Sequence, residues 1–460
     1  MKEKGLVPNL GPTLFRMKRL FLLFSFLFLF HVGLHAQLAC QPMVGHVGLR
    51  DARIWIQAED AAKAQIEFWI TDAPQSAEVC RSEVQILKPA RAKTATFDLG
   101  GLEPGTPYSF RILINGQEVT KGIDFSALRF ETQPLWQHRT DPPEFTIALG
   151  SCSFINETAY DRPGKPYGGG YGIFNTIADS KPDLMLWLGD NVYFREVDWA
   201  SKSGMHHRYS HMRKLPELQK LIGACPHVAI WDDHDYGPND ADGSWIHKDW
   251  AAEAFRNFWP NPSQGLPDAN GKGITSGFSF MDVEVFLLDN RTFRVNPDNL
   301  TRTPQMIGNV QLDWLISALK FSQAPFKLIA VGGQVVSDFA EYENMAKFEE
   351  ERSELLRRID EEEIQGIVFL TGDRHSSELS QLTLPGGRTV LDFTCSALTS
   401  GAYDHSAEPN HNRIEGTSVG IRNYGTLGFS GPLDNRIMTI RTMDAEGNLL
   451  WEREFAASDL

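Results

Sequence analysis

The pattern of apolar and polar residues changes in character partway along the chain. Between residues 40 and 135, short stretches alternate apolar and polar positions, as half-buried strands of antiparallel sheets do. These stretches are Val44–Gln57, Gln65–Ile70, Thr94–Leu99 and Tyr108–Ile114. Turns rich in Pro and Gly separate them, so residues 40–135 are predicted to form a small all-β sandwich.

From residue 144 onward, apolar residues form continuous runs separated by helical stretches. The runs are Phe145–Leu149, Leu184–Leu188, Val228–Trp231, Val283–Leu288, Leu328–Val331 and Ile367–Leu370. Runs of this kind are typical of strands buried on both faces. Residues 208–222 and 348–364 carry apolar positions at helical spacing. The pattern predicts a layered α/β or α+β domain over residues 144–460, joined to the sandwich by a polar, Pro-bearing linker at 132–143.

The polar residues that follow four of these runs carry the candidate chemistry. They are Gly150-Ser151-Cys152, Gly189-Asp190-Asn191-Val192-Tyr193, Asp232-Asp233-His234-Asp235 and Gly372-Asp373-Arg374-His375. Each signal alone is weak, because a Gly-Asp dipeptide usually marks a turn and a buried cysteine usually packs as a small hydrophobe. Together they lie where α/β sheets place their sites, and buried carboxylates need cations or hydrogen bonds. The sequence therefore predicts a metal site.

Five further features have a functional and a structural interpretation. Arg291 follows a buried strand and is predicted either to clamp phosphate bidentately or to close a strand-end salt bridge. Gln334 is a candidate pocket residue, and the histidines of Met205–His211 are expected at the exposed start of a helix rather than on a metal. Cys395 is predicted to be a packed thiol. Tyr160–Gly172, with five glycines, is predicted to be a mobile loop near the mouth of the site.

The first residues of the sequence have the organisation of an export signal. Lys18 and Arg19 precede the apolar run Leu20–Phe30, and the small Ala36 follows shortly after. The run is too short for a comfortable membrane span. We therefore expect a signal peptide over residues 1–36, a mature chain in the periplasm or outside the cell, and no stable membrane span after cleavage.

Net charge and motif content narrow the possible classes of ligand, and the cysteines suggest a disulfide. A formal net charge of −15 argues against a nucleic-acid platform or an anionic membrane surface, although bound cations can reverse the local field of a site. The G-x-x-x-x-G-K-[ST] motif does not occur, which disfavours nucleotide-driven chemistry. Export permits disulfides, and Cys40–Cys80 is the most plausible pair among five cysteines.

Taken together and in this order, the four polar motifs resemble those of the PhoD-like alkaline phosphatase/phosphodiesterase family. That family belongs to the calcineurin-like metallophosphoesterases. The resemblance implies a sandwich of two mixed sheets flanked by helices, preceded by a small immunoglobulin- or fibronectin-like domain. Leu102–Tyr108 is similar to the corner of a fibronectin type III-like module. The superfamily usually opens with Asp-x-His, whereas this chain has Ser151-Cys152-Ser153, which is the PhoD-like variant.

The resemblance also implies metal ligands and metal identities. Asp190 would bridge two metals, while Cys152 and Tyr193 would ligate Fe³⁺. Asp233 would ligate the second metal, and oxygen-only ligation there favours a hard cation such as Ca²⁺.

The remaining site residues take their implied roles from the last two motifs. Asp373 and His375 replace the usual Gly-His-x-His pair of metal ligands. His234 would donate a proton or stabilise the transition state, held in place by Asp235. Arg291 completes the predicted catalytic set if it clamps phosphate.

The predicted function is an exported, monomeric, metal-dependent phosphoesterase. It would hydrolyse phosphomonoesters, phosphodiesters or both by metal-activated water, without a covalent phosphoenzyme. One alternative is a phospholipase-type phosphodiesterase acting on lipids or cell-wall polymers, because the metals meet the same phosphoryl group in each case. Another is a non-catalytic secreted binding protein, which would be expected to have gaps in the ligand set.

Overall fold

The computed structural model describes residue 1 and residues 37–72 and 78–460. Apart from Met1, the predicted signal peptide over residues 1–36 lies outside the described residues. Among the helices that are described, none has the length and apolar content needed to cross a bilayer.

The first part of the chain is built from short strands in two sheets. They are β1 (Met43–Val47), β2 (Asp51–Gln57), β3 (Lys63–Ile70), β4 (Cys80–Arg81), β5 (Gln85–Ile86), β6 (Thr94–Gly100), β7 (Pro107–Ile114), β8 (Gln117–Glu118) and β9 (Arg129–Glu131). One sheet has the order β1-β2-β6 and the other β4-β3-β7-β8, with β5 and β9 attached to β3 and β7.

The alternating sequence pattern produces the core between these two sheets. Every second residue of β7 is buried, as the period of a strand with one solvated face requires. Ile54 and Phe97 from one sheet share an apolar cluster with Ile66 and Phe110 from the other. The Tyr108 hydroxyl accepts a hydrogen bond from the Glu103 backbone N–H at 2.9 Å, which fixes the predicted corner.

The second part of the chain alternates strands and helices. In chain order these are β10 (Phe145–Gly150), α1 (Ile173–Asp179), β11 (Leu184–Leu188), α2 (Lys202–Arg213), α3 (Gln219–Ile222), β12 (His227–Ile230), α4 (Asp233–Tyr236), α5 (Lys248–Phe258), β13 (Ser276–Phe280), β14 (Val283–Leu287), α6 (Asn309–Phe321), β15 (Phe326–Val331), α7 (Glu349–Glu361), β16 (Ile367–Thr371), β17 (Glu378–Thr383), β18 (Thr389–Thr394), β19 (Asn423–Ser430), β20 (Ile437–Asp444) and β21 (Leu449–Ala456). All six predicted apolar runs are strands.

Two six-stranded mixed sheets form the centre of this part. Their orders are β12-β11-β10-β19-β20-β21 and β13-β14-β15-β16-β18-β17. Ile147 and Leu186 of the first sheet share one apolar cluster with Val285, Leu328 and Leu370 of the second, so the sheets pack against each other. Strands β10, β11 and β12 run parallel, as do β14, β15, β16 and β18, so their carboxyl ends lie along the same sheet edges.

The helix predicted over residues 208–222 begins earlier and is interrupted. Ser201 caps the start of α2 by accepting the Gly204 N–H at 3.0 Å, and Pro216, which lacks an amide hydrogen, separates α2 from α3. The three histidines of Met205–His211 therefore lie within α2 rather than at its exposed start. His206 is buried, with Nδ1 2.6 Å from the Lys202 carbonyl oxygen.

The predicted Cys40–Cys80 disulfide is wrong. All five cysteines lie in the described residues and are free thiols. Cys40 is buried in an apolar cluster with Met43, Trp55 and side chains of the second part of the chain, whereas Cys80 is exposed on β4. Trp55 extends this contact, because its Nε1 donates to the Asn257 carbonyl at 2.7 Å. Packing between the two parts, rather than a disulfide, holds this region.

Candidate metal centre

The four polar motifs meet at the carboxyl ends of their strands. Cys152 follows β10, Asp190 follows β11, and Asp373 follows β16. The side chains form three groups whose ligand atoms lie within 4.8 Å of one another: Cys152, Asp190 and His375; Asp190, Asp233 and His234; and Asp232, Asp233, Glu343 and Asp373. Asp190 belongs to the first two groups and Asp233 to the last two, so the three groups form one continuous cluster.

The first group and the neighbouring Tyr193 hydroxyl together offer four kinds of donor atom. Cys152 Sγ lies 3.7 Å from Asp190 Oδ2, and the Tyr193 hydroxyl lies 3.3 Å from His375 Nε2. His375 Nδ1 is 2.7 Å from the Gly401 carbonyl oxygen, so this ring nitrogen carries the proton and Nε2 faces the cluster with its lone pair. Thiol, phenol, carboxylate and imidazole therefore converge on one point.

The second group contains His234 and the two aspartates. The His234 backbone N–H donates to Asp190 Oδ1 at 3.3 Å, and its ring lies on the Tyr193 ring with centroids 4.3 Å apart. Asp233 Oδ2 accepts the Asp240 N–H at 2.9 Å. Asp233 Oδ1 is buried and no donor in the described residues reaches it, although a buried carboxylate oxygen normally has a partner.

The backbone at the cluster is held in a costly conformation. Cys152, Asp190, Asp373 and His375 have φ values of 59°, 49°, 66° and 56°, in the left-handed region that non-glycine residues avoid. Such residues cost about 1–3 kcal/mol each and concentrate at functional sites. The strain turns each side chain sharply off the end of its strand and toward the same point.

Glycines before two of these residues allow the strand ends to approach. Gly189 has φ of 90°, and a Cβ there would lie 2.9 Å from Asp232 Cβ. A Cβ on Gly372 would lie 2.5 Å from the Leu188 carbonyl oxygen. Both glycines are therefore required for close approach of neighbouring strands, as the sequence pattern indicated.

Burial and mutual repulsion dominate the acid–base properties of the cluster. Burial raises the pKa of the Cys152 thiol to about 12 and that of Asp373 to about 7. Burial, followed by Asp233 and Cys152, raises the pKa of Asp190 well above its usual range. Asp233 is the exception, because His234 and Arg291 outweigh burial and lower its pKa to about 2. So many acidic groups cannot all ionise in this space unless cations are bound.

Arg291 does not reach the candidate substrate space. Its side chain is fully buried, with Nε 2.7 Å from Asp232 Oδ1 and Nη1 2.9 Å from Glu343 Oε1. Arg294 adds a second cation, 2.8 Å from Glu343 Oε1. This arrangement favours the salt-bridge alternative over the phosphate clamp, because the guanidinium is already committed to two carboxylates.

Asp235 does not hold the His234 imidazole, contrary to the sequence prediction. Its carboxylate instead accepts the backbone N–H groups of Asn191, Val192 and Asp232 at 3.0–3.2 Å. It is the third residue of a capping box that begins at Asp232, so its side chain points back along the chain. Asp235 therefore fixes the backbone that carries Asp190.

We predict that Asp235→Ala lowers the free energy of unfolding by about 2–3 kcal/mol, because buried N–H donors lose their acceptor. Urea unfolding of the metal-free protein measures this loss. Unchanged stability together with an altered pH profile of turnover would instead restore Asp235 as the partner of His234.

The remaining predicted residues have clear positions. Gln334 is buried and its amide donates to Glu378 and Thr394 at 2.8 and 2.9 Å, so it is a structural residue rather than a pocket residue. Cys395 is fully buried, as predicted. The loop Tyr160–Gly172 lies beside the cluster, where the Tyr167 hydroxyl is 3.0 Å from His375 Nδ1.

Two cavities border the cluster. One, of about 760 Å³, is lined by Glu343, Asp373 and His375, among others. The other, of about 910 Å³, is lined by Tyr193 and His234, among others. The cluster is therefore open to solvent-filled space on two sides.

Sequence reasoning missed Asp232, Glu343 and Tyr167 as individual site residues. Asp232 stands in a motif that was identified but received no role. Tyr167 lies in the loop Tyr160–Gly172, which was predicted near the site as a whole, without a role for this tyrosine. Glu343 lies in an irregular segment with no neighbouring motif, so no local signal could have found it.

The donor set fits metal ions. Cys, Tyr and imidazole donors suit a transition metal, and a carboxylate group suits a hard cation. The buried Asp233 Oδ1, without a donor in the described part of the chain, is an oxygen that a cation would satisfy.

Comparisons with known proteins relate the chain to phosphatases. Residues 147–429 match the family described as PhoD-like phosphatase, and residues 35–131 match one described as a domain of unknown function (DUF7800). Alkaline phosphatase D of Bacillus subtilis (strain 168) is 23% identical over 374 residues, covering 70% of this chain. That alignment spans only 61% of the relative's own length.

A solved structure described as the structure of PhoD shares the fold. It matches with a TM-score of 0.72 at 18% identity, covering 92% of this chain and 90% of that one. The family match extends over more than half of the chain and includes all four motifs. The chain belongs to the PhoD-like phosphatase family.

Proposed function

We propose that the protein is an exported, monomeric, metal-dependent phosphoric ester hydrolase. Residues 40–135 are its immunoglobulin-like sandwich, and residues 144–460 are a catalytic domain of the metallophosphoesterase type. One observation carries the proposal. At the carboxyl ends of the strands, the first two groups of ligand atoms share Asp190 and the last two share Asp233. A carboxylate shared between two groups is what a pair of neighbouring cations requires.

The two kinds of donor set suggest two kinds of metal. Cys152, Tyr193 and His375 would hold Fe³⁺ with Asp190, and Asp233 and Asp373 would hold Ca²⁺ with the same Asp190. Cations bound there supply Lewis-acid chemistry, which lowers the pKa of water and offsets the charge of the phosphoryl group.

His234 is the proposed proton donor to the leaving alcohol. Its ring borders the larger cavity and lies against Tyr193, which fixes its plane. Burial lowers the pKa of His234, while Asp233 and Asp232 oppose this effect, so the two carboxylates favour the protonated ring that a general acid needs. Tyr193, rather than Asp235, is the residue that orients the imidazole.

The substrate class is a phosphate ester, either a monoester or a diester. The metal ligands do not distinguish between them, because both present the same phosphoryl group. A phospholipase-type diesterase would use the same ligands and differ only in the loops that contact the alcohol.

We expect the protein purified from Gln37 onward to hydrolyse p-nitrophenyl phosphate, bis-p-nitrophenyl phosphate or both, and to lose this activity with chelator. Elemental analysis of the same preparation should find bound metal, with iron and calcium in the proposed assignment. The ratio of the two rates distinguishes monoesterase from diesterase. Folded protein without metal and without turnover would contradict the proposal and favour a secreted binding protein.

A further inference from the structure

The two cavities beside the candidate metal centre differ in chemistry. The larger is walled by aromatic rings, contributed by Phe154, Tyr167, Phe194 and Trp199. Two of these rings continue from the cluster: Phe154 packs against Tyr167 and Tyr193, each with centroids 5.0 Å apart. Phe194 and Trp199 line the same cavity farther along the chain.

Charged groups around this wall are largely paired with one another. Arg195 is 2.7 Å from Asp161, and its guanidinium carbon lies 3.9 Å from the Phe154 ring centroid. Arg162 is 3.0 Å from Glu196 at the exposed edge. Lys165 is a further cation in the lining, so the cavity offers a ligand aromatic rings together with a charged rim.

The smaller cavity has a more highly charged lining. It includes Arg294, Asp298, Lys347, Arg374 and His405. Its exposed rings are Tyr342, which carries the Arg374 guanidinium at 4.3 Å, and Tyr403, which stacks on His375. A ligand group in this cavity would meet charged and hydrogen-bonding groups beside these two rings.

The position of His234 indicates on which side of the phosphate the leaving alcohol lies. In an in-line displacement the leaving alcohol departs on the side opposite to the nucleophile. His234 lines the larger cavity, whereas Asp373 and His375 line the smaller one. If His234 gives its proton to the leaving alcohol, that alcohol must stand in the larger, aromatic cavity.

We propose that the larger cavity is the subsite for the leaving alcohol, and that it selects alcohols bearing an aromatic or other planar apolar group. Trp199 is its specificity-determining residue, because it is the indole in the cavity lining and its side chain is half-buried. The retained substituent of the phosphate faces the smaller cavity. This inference rests on the proposed function.

Two pairs of diesters separate the two sides of the phosphate. Methyl phenyl phosphate and methyl naphthyl phosphate differ only in the leaving alcohol. Methyl p-nitrophenyl phosphate and phenyl p-nitrophenyl phosphate share a leaving group and differ only in the retained substituent. If the enzyme accepts only monoesters, phenyl phosphate and naphthyl phosphate serve as the first pair, and the second pair is not needed.

We expect the metal-loaded enzyme to prefer naphthyl over phenyl as the leaving group, measured as kcat/KM. Trp199→Leu, which keeps an apolar side chain but removes the ring, should reduce that preference by about tenfold. Trp199→Phe should largely keep it. The matched control is Tyr342→Leu, which removes a ring from the other cavity and should leave the leaving-group preference unchanged.

The outcomes are distinct. An unchanged naphthyl preference in Trp199→Leu, with normal metal content and unfolding midpoint, overturns the subsite. So does a loss of that preference in Tyr342→Leu. If the metal-loaded parent hydrolyses none of these esters or the p-nitrophenyl esters, the proposed function itself fails and this inference fails with it.

Discussion

Replacing Asp190 with Asn should abolish metal binding and lower kcat/KM by at least about a thousandfold, the size of effect seen when one preorganised transition-state group is removed. Asp190 belongs to two of the three ligand groups, so one substitution weakens both proposed cation positions. Asn keeps the size of the side chain and can still accept the His234 N–H, which lies 3.3 Å from Oδ1.

In the metal-free protein, by contrast, replacing Asp190 with Asn should not lower the stability. Asn removes a buried carboxyl group whose ionisation is opposed by burial and by the neighbouring Asp233, so metal-free Asp190→Asn should be at least as stable as the metal-free parent. Added metal should raise the Tm of the parent, since a ligand at a hundredfold excess over its Kd contributes about 2.7 kcal/mol. The variant should show no such rise.

Asp392→Asn is the matched control. Asp392 is a fully buried carboxylate that accepts the N–H groups of Val335 and Val336 at 2.7 and 2.9 Å, and it belongs to none of the three ligand groups. This variant should lose stability and keep its response to metal. A metal-dependent rise in Tm that survives in Asp190→Asn would contradict the shared-ligand assignment.

The positions of the strands that carry the site could be predicted because strands buried on both faces appear in the sequence as continuous apolar runs. Runs such as Leu184–Leu188 admit no polar residue, so the first polar residue after each run marks a strand end. Parallel pairing then brings Cys152, Asp190 and Asp233 together without further information. This is why the ligand groups contain the residues that the motifs indicated.

The directions of individual side chains could not be predicted in the same way. Asp235 stands next to His234 in sequence, but the turn that starts α4 points its carboxylate at backbone N–H groups. Glu343 enters the cluster from the irregular segment between β15 and α7, which has no periodic pattern. Both facts depend on the path of the chain beyond the end of a strand, where sequence periodicity carries no information.

Arg291 illustrates how one sequence feature supports two structural roles. An arginine after a buried strand suits a phosphate oxygen or a carboxylate oxygen equally well, because both accept its paired N–H groups. In the fold, Arg291 donates to Glu343, a residue 52 positions away along the chain, and this contact favours the carboxylate role. Only the folded arrangement supplies that partner.

Arg291→Met should be the most destabilising of the substitutions considered, lowering the free energy of unfolding by about 3–5 kcal/mol. The cost arises because Asp232 and Glu343 would remain buried with their main cationic partner removed. Urea unfolding of metal-free protein measures it. Arg357→Met is the control: Arg357 pairs with Glu354 and Glu361 on the exposed face of α7, and its removal should change stability little.

Arg291→Met also distinguishes the salt-bridge role of Arg291 from the phosphate-binding role. Asp232, Asp233, Glu343 and Asp373 place ligand atoms within 4.8 Å of one another, and Arg291 supplies the cation among them. Without Arg291, added Ca²⁺ should recover part of the lost stability, and the rise in Tm should exceed that of the parent. If Arg291 instead binds phosphate, Arg291→Met would keep its stability, show no extra response to Ca²⁺, and lose kcat/KM alone. The burial of the guanidinium against two carboxylates favours the first result.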